Sequence, residues 1–221
     1  MNAADNSNDA GARDLTAAGV MDLAPVIPVV VLDDADAAVP LARALVAGGL
    51  RAIEVTLRTP AALEAIVRIA AEVPDAVVGA GTVVRPEDAE RSAAAGARFL
   101  VSPGCTSRLQ VAMAATGLPF LPGVATASEA LALMEDGITA MKFFPAEAAG
   151  GIPYLKSIGG PLPRIRFCPT GGVGPGNAAD YLALPNVGCV GGSWLTPADA
   201  VRAGDWDRVR KLAAEAGALP R

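Results

Sequence analysis

Histidine is absent from the 221-residue chain. That absence removes Ser-His-Asp triads, Cys-His pairs and zinc sites built on imidazole from consideration. Any chemistry must rest on carboxylate, amine, thiol, hydroxyl or backbone groups. Aromatic residues make up only 4% of the chain, so the core must be aliphatic. Cysteine is scarce: Cys105, Cys168 and Cys189 are odd in number, far apart and without CxxC spacing. They suggest neither a disulfide framework nor a metal knuckle, and they fit a reducing, cytoplasmic setting. Basic charge is outweighed, with 18 Lys and Arg against 23 Asp and Glu for a net charge of -5. Such a balance offers no cationic face for a phosphate backbone and argues against a nucleic-acid partner. No apolar run approaches the roughly 18 residues that a membrane helix needs, so no membrane association is expected. The opening MNAADNSNDAGARD has no basic start followed by an apolar stretch. Residues 1–12 are expected to form a disordered tail, and residues 13–221 a single domain.

What is present is an alternation. Short apolar runs rich in β-branched residues recur at 25–32, 52–57, 76–81, 97–102, 119–124, 138–144, 165–170 and 187–192. Between most of them lie alanine-rich segments with charges at helical spacing, opening with Asp, Pro or Ser and closing near Gly. Strands alternating with helices mean βα units around a parallel sheet. Eight runs, with no linker and no second composition regime, predict a (β/α)8 TIM barrel, and an open doubly wound sheet is the architectural alternative. The segment after Phe144, AEAAGGIPYLKSIGGPLP, is rich in Gly and Pro and predicts only a short helix.

Barrel enzymes carry their chemistry at the C-terminal ends of the strands. In IEVTLRT, Glu54, Thr56 and Arg58 alternate with Ile53, Val55 and Leu57, so a strand sets the three polar residues on one face, and that face must point inward. Lys142 stands between Met141 and the pair Phe143 and Phe144. An apolar enclosure strips an ammonium of hydration, favours the neutral amine, and so prepares a nucleophile able to form a Schiff base with a ketone. A structural ion pair between Lys142 and Glu54 is the alternative. Lys156 and Lys211 are expected in a loop and on a terminal helix, both solvated.

The runs PTGGVGPGN (169–177) and GGSW (191–194) end the seventh and eighth strands, where backbone amides together with the Thr170 and Ser193 hydroxyls can cradle a phosphate. Tight turning is the alternative. Thr82, in GAGT, is a candidate donor to a substrate carboxylate, or else a turn-forming hydroxyl. The forked donors of Arg58 suit a carboxylate substrate as well as a rim salt bridge. Cys168 and Cys189 read as small buried strand residues.

Taken together, EVTLRT, VGAGTV, SPG, MKFFPAE, RFCPTGGV and GGSWL resemble the bacterial 2-keto-3-deoxy-6-phosphogluconate aldolases, also called 4-hydroxy-2-oxoglutarate aldolases. The likeness spans about Val26 to Ala216. It implies a metal-independent, cofactor-free class I aldolase of the Entner-Doudoroff pathway, built as a homotrimer of (β/α)8 barrels and acting on a keto-acid phosphate. It implies Lys142 as the Schiff-base lysine and Glu54 as general acid and base, with Arg58 and Thr82 on the pyruvate carboxylate. Thr170, Gly171, Gly172, Gly191, Gly192 and Ser193 are assigned to the phosphate, and Pro103 and Phe144 to the pocket wall. The residue after SPG, Cys105, departs from the pattern without touching the reacting groups. An aldolase for the galactonate-derived epimer and a non-catalytic sugar-phosphate-binding barrel are the competing readings.

Overall fold

A computed structural model describes residues 15–221; the tail expected over residues 1–12 lies outside the described residues. Every one of the eight apolar runs carries strand. In chain order these are β1 (Val26–Val30), β2 (Ala52–Thr56), β3 (Val77–Gly81), β4 (Leu100–Val101), β5 (Phe120–Leu121), β6 (Gly123–Val124), β7 (Ala140–Phe143), β8 (Arg166–Pro169) and β9 (Val190–Gly192). The run at 119–124 supplies both β5 and β6, because Pro122 between them has no backbone N–H to give to a ladder.

All pairings are parallel. Six strands hydrogen-bond in the order β5-β4-β3-β2-β1-β9, and three in the order β6-β7-β8. Two isolated bridges, Phe167 with Val187 and Thr170 with Gly191, lie between the second group and the β9 segment. The result is an α/β fold on a curved parallel sheet.

The helices that follow the strands are α2 (Ala38–Ala47), α3 (Ala62–Glu72), α4 (Pro86–Ala94), α5 (Ser107–Ala115), α6 (Ala127–Glu135), α7 (Gly151–Gly159), α8 (Ala178–Leu182), α9 (Ala198–Ala203) and α10 (Trp206–Gly217), with α1 (Ala17–Asp22) ahead of β1. Their starts are chemically specified. Thr126 accepts from Glu129 N while the Glu129 carboxylate accepts from Thr126 N at 2.9 Å, closing a capping box on α6. Thr106 caps α5 by accepting from Leu109 N, and Asp205 caps α10 by accepting from Arg208 N. On α3 the buried Ala62, Ala65, Ile66 and Ile69 form one stripe at i, i+3, i+4 and i+7, and each isoleucine contributes about 1.5–3 kcal/mol by leaving water.

One expectation needs correction. The segment after Phe144 forms the short helix expected of it, α7 of nine residues, but that helix takes in Lys156. Pro153 falls in its first turn, where the missing N–H would have had no intrahelical partner. Left-handed Gly150 and Gly151 turn the chain into it. Lys156 therefore sits on this helix and not in a loop; it is exposed, as is Lys211 on α10.

Strand alternation divides the interior in two. Ile53, Val55, Met141, Phe143, Phe167 and Val190 join the larger core against the helices. Ile27, Ala52, Val77, Phe99, Leu121, Ala140, Cys168 and Cys189 form a second core on the concave face, where Val20 and Met21 of α1 pack against them. Among the described residues no helix is long and apolar enough to cross a membrane.

Candidate active site

Above that second core, the same strand faces turn polar. Two residues beyond Ala52 on β2 comes Glu54, and two beyond Ala140 on β7 comes Lys142, both directed to the concave side by the period of two. Both are buried, with 3% and 5% of their surface exposed, and Lys142 Nζ donates to Glu54 Oε1 at 3.2 Å. The two side chains come from strands 88 residues apart in sequence. They share a cavity of about 270 Å³. The Nζ atom also lies 5.3 Å from the centre of the Phe144 ring, within the range of cation–π attraction.

Glu54 has room because of a glycine. A β-carbon on Gly81, at the end of the neighbouring β3, would sit 2.1 Å from Glu54 Oε1. Sequence reasoning assigned Gly81 no role, although a glycine closing a strand beside a buried carboxylate is the visible signal.

The carboxylate-binding candidates occupy one rim. Thr56 Oγ1 donates to Val30 O at 2.9 Å and accepts from Arg58 Nε at 3.2 Å. Arg58 lies beyond the last residue of β2, so it reaches the cavity from a turn and not from the strand face expected for it. Thr82 adopts φ +59°, the left-handed region that a β-branched residue rarely enters. Such local strain is retained where the surroundings fix it, and it collects at functional sites.

Across the cavity, Gly171 and Gly172 are both left-handed, at φ +96° and +80°. With Thr170, Gly191 and Ser193 they line the same space. A tight glycine turn can direct backbone N–H groups into a concavity suited to an anion. Gly192 stands apart from this lining; a β-carbon there would meet the Trp194 ring at 1.8 Å, so that glycine makes space for the indole. Pro103 and Phe144 complete the wall. Val29 and Val173 also line it, and nothing in their sequence setting marks them.

The thiols divide as their surroundings dictate. Cys168 and Cys189 are buried in the concave-face core. The Cys189 thiol is raised well above its ordinary range, first by its hydrogen bond with Cys168 and then by burial. Burial likewise pushes Cys105 up to about 11. Among the described residues no three His, Cys, Asp or Glu side chains converge to hold a metal.

Comparison with known proteins places the chain in a family. The family model for KDPG and KHG aldolase matches residues 18–212. The 2-dehydro-3-deoxy-phosphogluconate aldolase of Pseudoalteromonas atlantica is 56% identical over 87% of this chain and 89% of its own length. The KHG/KDPG aldolase of Escherichia coli K12 is 52% identical over 91% and 94%. A solved KDPG aldolase from Legionella pneumophila, with pyruvate captured as a covalent carbinolamine intermediate, superposes with a TM-score of 0.90 at 45% identity, covering 92% of this chain and 98% of that one. With matches across nearly the whole chain in both sequence and fold, this protein belongs to the KDPG and KHG aldolase family.

Proposed function

We propose that this chain is a class I aldolase that cleaves 2-keto-3-deoxy-6-phosphogluconate to pyruvate and glyceraldehyde 3-phosphate. It also cleaves 4-hydroxy-2-oxoglutarate to pyruvate and glyoxylate. The observation that carries the reading is the buried contact of Lys142 Nζ with Glu54 Oε1 at 3.2 Å, on the floor of an open cavity. An amine and a carboxylate in direct contact can pass a proton between them, and that is the first requirement of imine chemistry.

Lys142, its proton lost to Glu54, attacks carbon 2 of the keto acid, and Glu54 protonates the departing hydroxyl so that the carbinolamine loses water. The iminium draws the electrons of the bond between carbons 3 and 4 as Glu54, directly or through a water, removes the proton from the carbon 4 hydroxyl. The aldehyde leaves, and an enamine of pyruvate remains. Protonation at carbon 3 and hydrolysis release pyruvate and the free lysine. No metal or cofactor is required, since the iminium is the electron sink. Arg58 and Thr82 grip the carboxylate of the keto acid. The amides and hydroxyls around Thr170, Gly171, Gly172, Gly191 and Ser193 receive the phosphate. Pro103 and Phe144 shape the apolar side of the pocket.

The architecture belongs to the same reading. The described residues form one (β/α)8 barrel, a reading supported by the short step from β5 to β6 and by the bridge of Thr170 with Gly191. The working form is a cytoplasmic homotrimer of such barrels. Borohydride reduction in the presence of pyruvate tests the chemistry. Mass spectrometry is expected to find the reduced adduct on Lys142, and Lys142→Arg is expected to abolish it, because a guanidinium stays protonated. An adduct on Lys156 or Lys211 overturns the assignment.

A further inference from the structure

The glycine turn at 171–172 is braced from behind. Thr170 O accepts from Ala146 N at 2.8 Å, and Gly171 O accepts from Glu147 N at 3.1 Å. Gly172 O accepts from Asn177 Nδ2 at 3.1 Å, while Asn177 Oδ1 accepts from Gly174 N at 2.8 Å. The Glu147 stem lies against Gly172, where a β-carbon would come within 2.5 Å of Cγ. The Glu147 carboxylate accepts a hydrogen bond from the hydroxyl of Tyr181, a fully buried side chain on α8. Burial, and after it the hydrogen bond to Glu147, hold that phenol well above its ordinary pKa, so it remains a donor across the working range.

A planar trans peptide sets its carbonyl and the following N–H on opposite sides. Fixing the carbonyls of Gly171 and Gly172 toward Glu147 and Asn177 therefore turns the amides of Gly172 and Val173 the other way. Both residues line the cavity. We infer that Tyr181, Glu147 and Asn177 are positioning residues for phosphate recognition: they hold this turn in its anion-receiving form without touching the substrate. The inference rests on the phosphate site proposed above. Pre-setting the donors lowers the ordering cost of binding, and only a substrate that carries a phosphate gains from it.

The brace is tested with two substrates and two variants. Tyr181→Phe removes one hydroxyl and keeps the ring, and Asn177→Ala releases the same turn from its solvent side. Each is expected to raise KM for 2-keto-3-deoxy-6-phosphogluconate about tenfold, the worth of one hydrogen bond. KM and kcat for unphosphorylated 4-hydroxy-2-oxoglutarate are expected to stay within about twofold, a split that general loosening of the fold cannot produce. Should Tyr181→Phe fail to fold, Asn177→Ala decides the outcome. If the unaltered enzyme shows no lower KM for the phosphorylated substrate, the phosphate site itself falls and the brace with it. If it does discriminate, but the variants keep its KM or shift both substrates alike, the brace is refuted and the site stands.

Discussion

The concave face of the sheet holds two regions one residue pair apart. Low on the strands, Ile27, Ala52, Val77, Phe99, Ala140, Cys168 and Cys189 make a dry floor closed by Val20 and Met21. Two residues further along the same runs come Val29, Glu54, Lys142, Thr170 and Gly191. The floor is interchangeable apolar volume, stabilised by exclusion of water. The layer above it spends that stability by holding a carboxylate and an ammonium out of water in contact with each other, an arrangement that costs desolvation and is kept for what it does. Floor substitutions should therefore register in stability, and substitutions in the polar layer in catalysis.

The largest effect is expected at the polar layer itself. Glu54→Gln keeps the shape and loses the basicity, so kcat should fall by about 10²–10⁴ while substrate still binds. Arg58→Ala should mainly raise KM, because the carboxylate it grips is present in ground state and transition state alike. Steady-state kinetics separate the two, and a rise in KM at constant kcat for Glu54→Gln would make that residue a binding group only.

Two glycines on β3 divide the regions most cleanly. Gly81→Ala pushes a methyl into the Glu54 carboxylate and should lower kcat by up to about 10²-fold, the scale of a 1 Å misplacement. At Gly79 a β-carbon would meet the Phe99 ring at 2.5 Å, so Gly79→Ala overpacks the core and should cost about 1–3 kcal/mol of stability. Urea denaturation beside initial rates checks both. Equal loss of activity and stability in the two variants would dissolve the distinction between the regions.

Met21→Ala carries the comparison to α1, which closes the floor. Met21 is fully buried, and its truncation should cost about 2–5 kcal/mol in chemical denaturation, with kcat and KM of the folded protein unchanged.

The smallest effect is a difference among thiols. With Cys105 pushed up to about 11, only about a thousandth of it is thiolate at pH 8, and alkylation should quicken about tenfold per pH unit up to that value. Cys168 and Cys189 should stay unlabelled at every such pH until the chain unfolds. Peptide mapping after iodoacetamide reads all three, and labelling of Cys189 in the folded protein would mean that the floor is not dry.

Read by itself, the amino-acid sequence determined which segments become strands, since β-branched runs between capped, alanine-rich stretches carry that information locally. It also singled out Lys142 and Glu54, because a charged residue inside an apolar strand is anomalous wherever the strand lies. Local pattern foresaw a short helix after Phe144 but set Lys156 in a loop, because it could not fix where among the Gly and Pro residues that helix would run. It could not anticipate that Pro122 would divide one run into β5 and β6, since the effect depends on which neighbours need the missing donor. Tertiary structure alone decided that Glu54 and Lys142 touch, that Gly81 rather than any other residue makes the space for that contact, and that Tyr181 and Asn177 stand behind the glycine turn. Each of these is a distance between groups on different strands and helices. Such distances are set by the register of parallel strands and the packing of helices upon them, and neither is written in the local order of residues.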